Sequence, residues 1–144
     1  MTATISALLA DKDAGANAIG APGRAWLTYG ALRALGGQVE ADLRSFGIGA
    51  SDRVAIVLPN GPEMATAFVT IAQAAVTAPL NPAYQEKEFS FYLEDLRAKA
   101  IVVPSDYDGP ALAAAAPLGM TVLRLRSDAN DPAGQFRLTG TLAA

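Results

Sequence analysis

The chain has 144 residues, 51% of them hydrophobic and 17% charged, which is enough apolar material for one domain with a core and argues against disorder. A net charge of −3 with no basic run argues against nucleic acid and acidic membrane surfaces as partners. Cysteine and histidine do not occur, which excludes disulfides, thiolate nucleophiles, imidazole bases and Cys- or His-built metal centres within this chain.

In chain order, Thr2 to Leu9 is apolar but has no basic leader and meets Asp11, Lys12 and Asp13 at once, so it does not read as a signal peptide. No apolar run approaches the roughly 20 residues of a membrane span, and a cytoplasmic chain is expected. Thr28 is placed to cap a helix carrying Tyr29, Leu32, Leu35, Val39, Leu43 and Phe46 on one face and stopped by Gly47. Gly36 and Gly37 interrupt it, each costing about 1 kcal/mol against alanine, which implies close packing or a local irregularity there. Arg53 to Leu58 (RVAIVL) has the continuous apolar character of a strand covered on both faces. Asn60 is expected to cap a second helix, with Pro62 in its first turn and Met64, Phe68, Ile71 and Ala75 as its stripe.

The pattern then repeats: a strand at Thr77 to Leu80, a loop at Asn81 to Gln85, a helix from Glu86 to Arg97, and a strand at Ala100 to Pro104. Asp108 is expected to cap a helix through Ala113 to Ala116, and Met120 to Leu125 forms a further strand. Strands alternating with helices predict an α/β fold, a mostly parallel sheet with helices packed on it. Residues 1–126 form the expected α/β unit. Residues 127–144 read as a linker or the start of a further, truncated segment, with one strand near Phe136 and Leu138.

Five stretches invite a chemical reading. Gly47 and Gly49 form G-x-G, but after a helix and before a strand, the reverse of a dinucleotide loop. LPNGPE (Leu58 to Glu63) has the right strand-to-helix order to offer N–H groups to an anion, yet reads better as an ordinary turn. RLTGT (Arg137 to Thr141) lacks the following lysine of a phosphate loop. Glu86, Glu88, Glu94 and Asp95 fall on one helix, where Glu94–Arg97 and Asp95–Lys99 spacing predicts a salt-bridged, solvated face. Asn81, Pro82, Ala83 and Tyr84 leave the C-terminal end of a strand, where open α/β sheets place ligands. Against that, Tyr84 can instead pack on Phe91 or Tyr92.

Taken together, LTYGALRAL, FGIGASDRVAIVLPNGPE and AAVTAPLNPAYQEKEFSFYLEDLRAKAIVV resemble the N-terminal region of adenylate-forming acyl-CoA ligases, the AMP-dependent synthetase and ligase superfamily. The most specific pieces are Leu27-Thr28-Tyr29, Asp52-Arg53-Val54-Ala55, Pro59-Asn60 and Pro79-Leu80-Asn81-Pro82, and the look is nearest the oxalate-CoA and fatty-acid-CoA ligase branch. The resemblance implies a parent that couples an acid to ATP and then to CoA with Mg²⁺, in which this chain is the N-terminal subdomain, structural and inactive alone. The family's phosphate loop, ribose acid and catalytic lysine match no position here, so no catalytic residue, metal ligand or bound cofactor is expected. Asn81 and Tyr84 are the candidate CoA-side contacts. Ala83 replaces an arginine of some relatives, and Ala75 a usual glycine. Expected partners are the parent's remaining subdomains, or a second copy through an exposed packing face. The alternatives are a free-standing binding or interaction module and, on topology alone, a flavodoxin-like nucleotide binder.

Overall fold

The computed structural model describes residues 4–141. A short helix α1 (Ile5–Ala10) and a small antiparallel pair, β1 (Asn17–Ile19) with β2 (Leu27–Thr28), precede the main sheet. Then come α2 (Tyr29–Ser45), β3 (Arg53–Ile56), α3 (Pro62–Ala72), β4 (Val76–Pro79), α4 (Glu86–Leu96), β5 (Ala100–Pro104), α5 (Pro110–Ala115), β6 (Thr121–Arg126) and β7 (Arg137–Thr141). The sheet order is β4-β3-β5-β6-β7, parallel throughout except for the antiparallel β6–β7 pair. The expected mostly parallel α/β architecture is what forms.

RVAIVL behaves as a doubly covered strand. Val54 and Ile56 point into one layer, against Leu35, Val39 and Leu43 of α2 and Ala67 and Ile71 of α3. Ala55 and Val57 point into the other, against Phe89 and Leu93 of α4 and Ala111, Ala114 and Ala115 of α5. With no polar face to expose, the strand has no need of alternation. In α2, Thr28 is the cap, its hydroxyl accepting from the Ala31 N–H at 3.2 Å. Gly36 is a packing glycine, since a Cβ there would meet the Gln73 carboxamide at 3.2 Å, whereas Gly37 faces open space.

Several local expectations are corrected. α3 starts at Pro62 with Gly61, not Asn60, at the cap position, and α5 starts at Pro110 behind Gly109, not Asp108. In both, proline sets the first helical residue, because its fixed φ and missing N–H suit that position, and so moves the cap to the residue before it. The fourth strand of the chain begins at Val76, one residue early. Neither Glu94–Arg97 nor Asp95–Lys99 pairs among the described residues, because α4 ends at Leu96 and Arg97 turns left-handed (φ 51°), which breaks the helical spacing. Lys99 instead reaches the Gly47 carbonyl at 2.6 Å and Asp52 at 3.4 Å.

Asp52 also accepts the Gly49 N–H at 2.7 Å. That backbone donor, with Lys99 beside it, holds the carboxyl below the ordinary aspartate range. A carboxyl lowered in the folded state adds stability that is complete above its unfolded value, about 3.9, and is lost as pH falls through the folded value. Urea midpoints measured from neutral to acid pH should therefore drop less steeply for Asp52→Asn than for the wild type, and parallel curves would contradict this.

Residues 127–136 do not trail away. Ala133 and Phe136 are buried, and β7 closes one edge of the sheet. This stretch is tied to the opposite end of the chain by one knot. Arg24 Nη1 donates to Glu63 Oε2 at 2.6 Å, and Nη2 faces the carbonyls of Asp128, Asp131 and Pro132 at 3.3, 3.3 and 3.1 Å. The same Glu63 oxygen accepts the Gly134 N–H at 3.1 Å, and Thr66 donates to the Gly134 carbonyl at 2.6 Å. Gly134 sits at φ 86° with Thr66 Cγ2 only 2.5 Å from where a Cβ would be, so only glycine fits there.

Candidate functional site

The strand order creates one special place. From β3 the chain leaves through α3 toward β4, whereas from neighbouring β5 it leaves through α5 toward β6, on the other side. The β3–α3 and β5–α5 loops therefore diverge at the carboxyl ends of the strands, opening a crevice at the topological switch point. It has a volume of about 330 Å³ and is lined by Leu58, Asn60, Glu63, Ser105, Asp106 and Ser127, among others. A second hollow of about 420 Å³ adjoins it, sharing Leu58 and Asn60 and extending to Pro79, Asn81 and Pro82.

The chemistry of this double hollow is modest. The Glu63 carboxylate is already engaged by Arg24 and Gly134. The side chains of Asn60, Ser105, Asp106 and Ser127 have no partner among the described residues and are exposed at its rim. Arg24, which pairs with the lining Glu63, is consumed by that carboxylate and three carbonyls. Among the described residues no group of three or more acidic side chains could hold a metal. Such a site can orient a ligand by hydrogen bonds, but it supplies no free positive charge to a phosphoryl oxygen.

The two residues singled out from sequence are separated. Asn81 lines the second hollow, with its Oδ1 accepting from the Ala83 N–H at 2.9 Å to shape the loop. Tyr84 lies outside both hollows. It stacks on Tyr92 (centroids 5.2 Å, 14° between planes) and meets Phe89 edge-on at 5.7 Å. The neighbouring Tyr92 hydroxyl, before any effect of desolvation, pushes the Tyr84 phenol above its ordinary range.

The remaining motifs resolve into structure. Gly47 and Gly49 form the turn after α2, with the Gly49 N–H given to Asp52. RLTGT is the body of β7, where a Cβ on Gly140 would meet Leu123 at 2.8 Å and Phe46 at 2.9 Å. Ser105, Asp106 and Ser127 were not singled out by sequence. Their only signal was position just past a strand, and that becomes informative once the strand order is known.

Among the described residues no helix is long and apolar enough to cross a membrane. Among curated proteins, the oxalate–CoA ligase of Saccharomyces cerevisiae is 43% identical over 83 residues, covering 54% of this chain and 15% of its own length. The oxalate–CoA ligase of Arabidopsis thaliana is 36% identical over 120 residues, covering 80% of this chain and 23% of its own. The chain thus spans less than a quarter of either relative. Among solved structures, apo MatB from Rhodopseudomonas palustris superposes with a TM-score of 0.77 at 29% identity, over 94% of this chain and 27% of that one. The family model described as AMP-binding enzyme matches residues 9–138, nearly the whole of the fold described above, and the chain belongs to that family.

Proposed function

We propose that this chain is the N-terminal part of an ATP-dependent carboxylic acid–CoA ligase, which converts acid, ATP and CoA into acyl-CoA, AMP and pyrophosphate. The observation that carries this reading is that relatives named as CoA ligases or as an acyl-CoA synthetase align with this chain over only 15–23% of their own length. The chain's role is to be a wall of the parent enzyme, working in the cytoplasm, with the remaining subdomains as its partners. ATP, Mg²⁺ and CoA are ligands of the parent.

The chemistry of the crevice supports a scaffold role. Adenylation and thioester formation both build negative charge on oxygen, which needs preorganised donors or cations. The hollows offer neutral side chains and acids instead. We assign the CoA side to the Asn81–Tyr84 loop, a reading supported by Asn81 lining the hollow beside β4 and by Tyr84 bracing the loop through its stacking on Tyr92.

Calorimetry of residues 1–144 with ATP and Mg²⁺, AMP or CoA should give no saturable heat, and exchange of labelled pyrophosphate into ATP should stay at background with any added acid. Micromolar nucleotide binding would overturn the scaffold role. Grafting the chain in place of the matching segment of the R. palustris MatB chain tests the ligase reading itself. A folded chimera that still releases pyrophosphate from ATP supports it, and a folded but inert chimera counts against it.

A further inference from the structure

One residue of the crevice lining has a chemistry of its own. Of the four asparagines in the chain, Asn60 alone precedes a glycine. Asparagine is thermolabile because its side-chain carbonyl carbon, Cγ, lies within five-membered-ring reach of the next residue's backbone nitrogen. When that nitrogen gives up its proton and attacks, the N–Cγ bond forms, the Cγ–Nδ2 bond breaks and ammonia leaves, giving a cyclic succinimide. Water then opens the ring. Breaking the new N–Cγ bond gives aspartate, whereas breaking the bond to the main-chain carbonyl gives isoaspartate, whose backbone runs through Cβ. In sum, asparagine and water become an acid and ammonia, with no change of oxidation state.

The attack needs a backbone N–H that is not donated elsewhere, room around the nitrogen and a carboxamide that is not tied down. All three hold at the β3–α3 turn. The Gly61 N–H has no partner among the described residues. Nothing lies within 4 Å of where a Cβ on Gly61 would be. Asn60 is exposed and its side chain is unpartnered.

Each of the other asparagines fails on one of these counts. Asn81 is followed by Pro82, which has no N–H, and its Oδ1 is engaged by the Ala83 N–H at 2.9 Å. The Asp131 N–H after Asn130 is donated to the Asp128 carbonyl at 3.0 Å. Asn17 lies in β1 and is followed by Ala18, whose methyl group crowds the attacking nitrogen. Asp108–Gly109 could form the same ring by losing water, but Gly109 is packed against the Tyr107 ring, and a carboxylate is a far poorer electrophile than a carboxamide.

We infer that Asn60 is a site of spontaneous deamidation, and hence a slow charge switch in the lining of the switch-point crevice. Every reacting atom belongs to residues 60 and 61 and the only co-reactant is water, so the inference stands apart from the ligase reading. The product places a carboxylate ahead of the α3 N-terminus, whose partial positive charge favours it. It joins Glu63 and Asp106 in the lining and makes the crevice still less receptive to an anion.

The test incubates the whole chain in ¹⁸O-labelled water at mildly alkaline pH and maps its peptides by tandem mass spectrometry. Label should enter residue 60 about tenfold or more faster than any other asparagine position. Part of the product should accept methyl groups from an isoaspartate-specific methyltransferase, and the rate should fall as the pH is lowered, because the attacking amide must lose its proton. Asn60→Gln keeps the carboxamide but requires a six-membered ring, so it should lose the acidic species while circular dichroism stays unchanged. The aspartate form that accumulates in the wild type should co-elute with Asn60→Asp on anion exchange. Labelling of Asn17, Asn81 or Asn130 as fast as Asn60, no labelling of residue 60, or an acidic species that persists in Asn60→Gln would each overturn the inference.

Discussion

Replacing Glu63 with alanine is expected to lower stability by about 2–3 kcal/mol, below the 3–5 typical of breaking a fully buried ion pair. The discount reflects side-chain exposures of 16% for Arg24 and 21% for Glu63, which leave part of each group in contact with water. The loss remains large because the substitution strips two donors at once, the Arg24 guanidinium and the Gly134 N–H. Arg24 already has one unsatisfied buried nitrogen, Nε, and without Glu63 its charge would be left with carbonyl acceptors alone. A double-mutant cycle sharpens the test. Because each single substitution strands the other partner, Arg24→Ala combined with Glu63→Ala should cost clearly less than the two singles added together. For a chain of this size a loss of about 2–3 kcal/mol moves the thermal midpoint by several degrees or more, readable by calorimetry. Single substitutions that each cost less than about 0.5 kcal/mol, the range of ordinary surface changes, would show that the knot is ornamental.

Phe136→Ala should be costlier still, about 3–5 kcal/mol, the range for deleting a buried aromatic. Phe136 is 2% exposed and packs in the α2–α3 layer with Leu123, Leu125 and Leu138. Were residues 127–144 a linker, the same substitution would be nearly silent, so urea denaturation of this variant decides whether the stretch belongs to the fold. A coincident, cooperative transition at a much lower midpoint is the expected outcome. A midpoint within error of the wild type would support the boundary after Arg126 that the sequence suggests.

Periodicity carried most of the architecture. Ala100–Pro104 forms with the predicted bounds, and Thr28 caps α2 as its side-chain chemistry requires. What stayed hidden is non-local or very short. The strands β1 and β2 span three and two residues, too few for any alternation to register. β7 alternates cleanly in burial, but its sequence, Arg-Leu-Thr-Gly-Thr, contains one large apolar residue and a glycine, so the strand expected near Phe136 and Leu138 could be placed without its bounds or its partner. The ion pairs missed on α4 depended on where the helix stops, which Arg97 decides by turning left-handed. The site is the sharpest case. Asn81 could be placed because it follows a strand, but the switch-point crevice exists only because β5 adds beside β3 and not beside β4. Nothing in the local pattern of any one segment encodes that choice.

The knot at Arg24 also constrains how the molecule is made. Its donors come from residue 24, while the carbonyls that they meet lie at residues 128, 131 and 132, separations of 104 to 108 residues. At the roughly 5–20 residues per second of protein synthesis, Arg24 waits about 5–20 s before its acceptors have been joined to the chain. During that interval α3 and its Glu63 are already available, so the ion pair can form first and the carbonyls arrive last. Phe136 and β7 are then laid down over a sheet edge that until that moment stands open on the nascent chain, making this the interval in which a chaperone or a wrong strand has its opportunity at that edge.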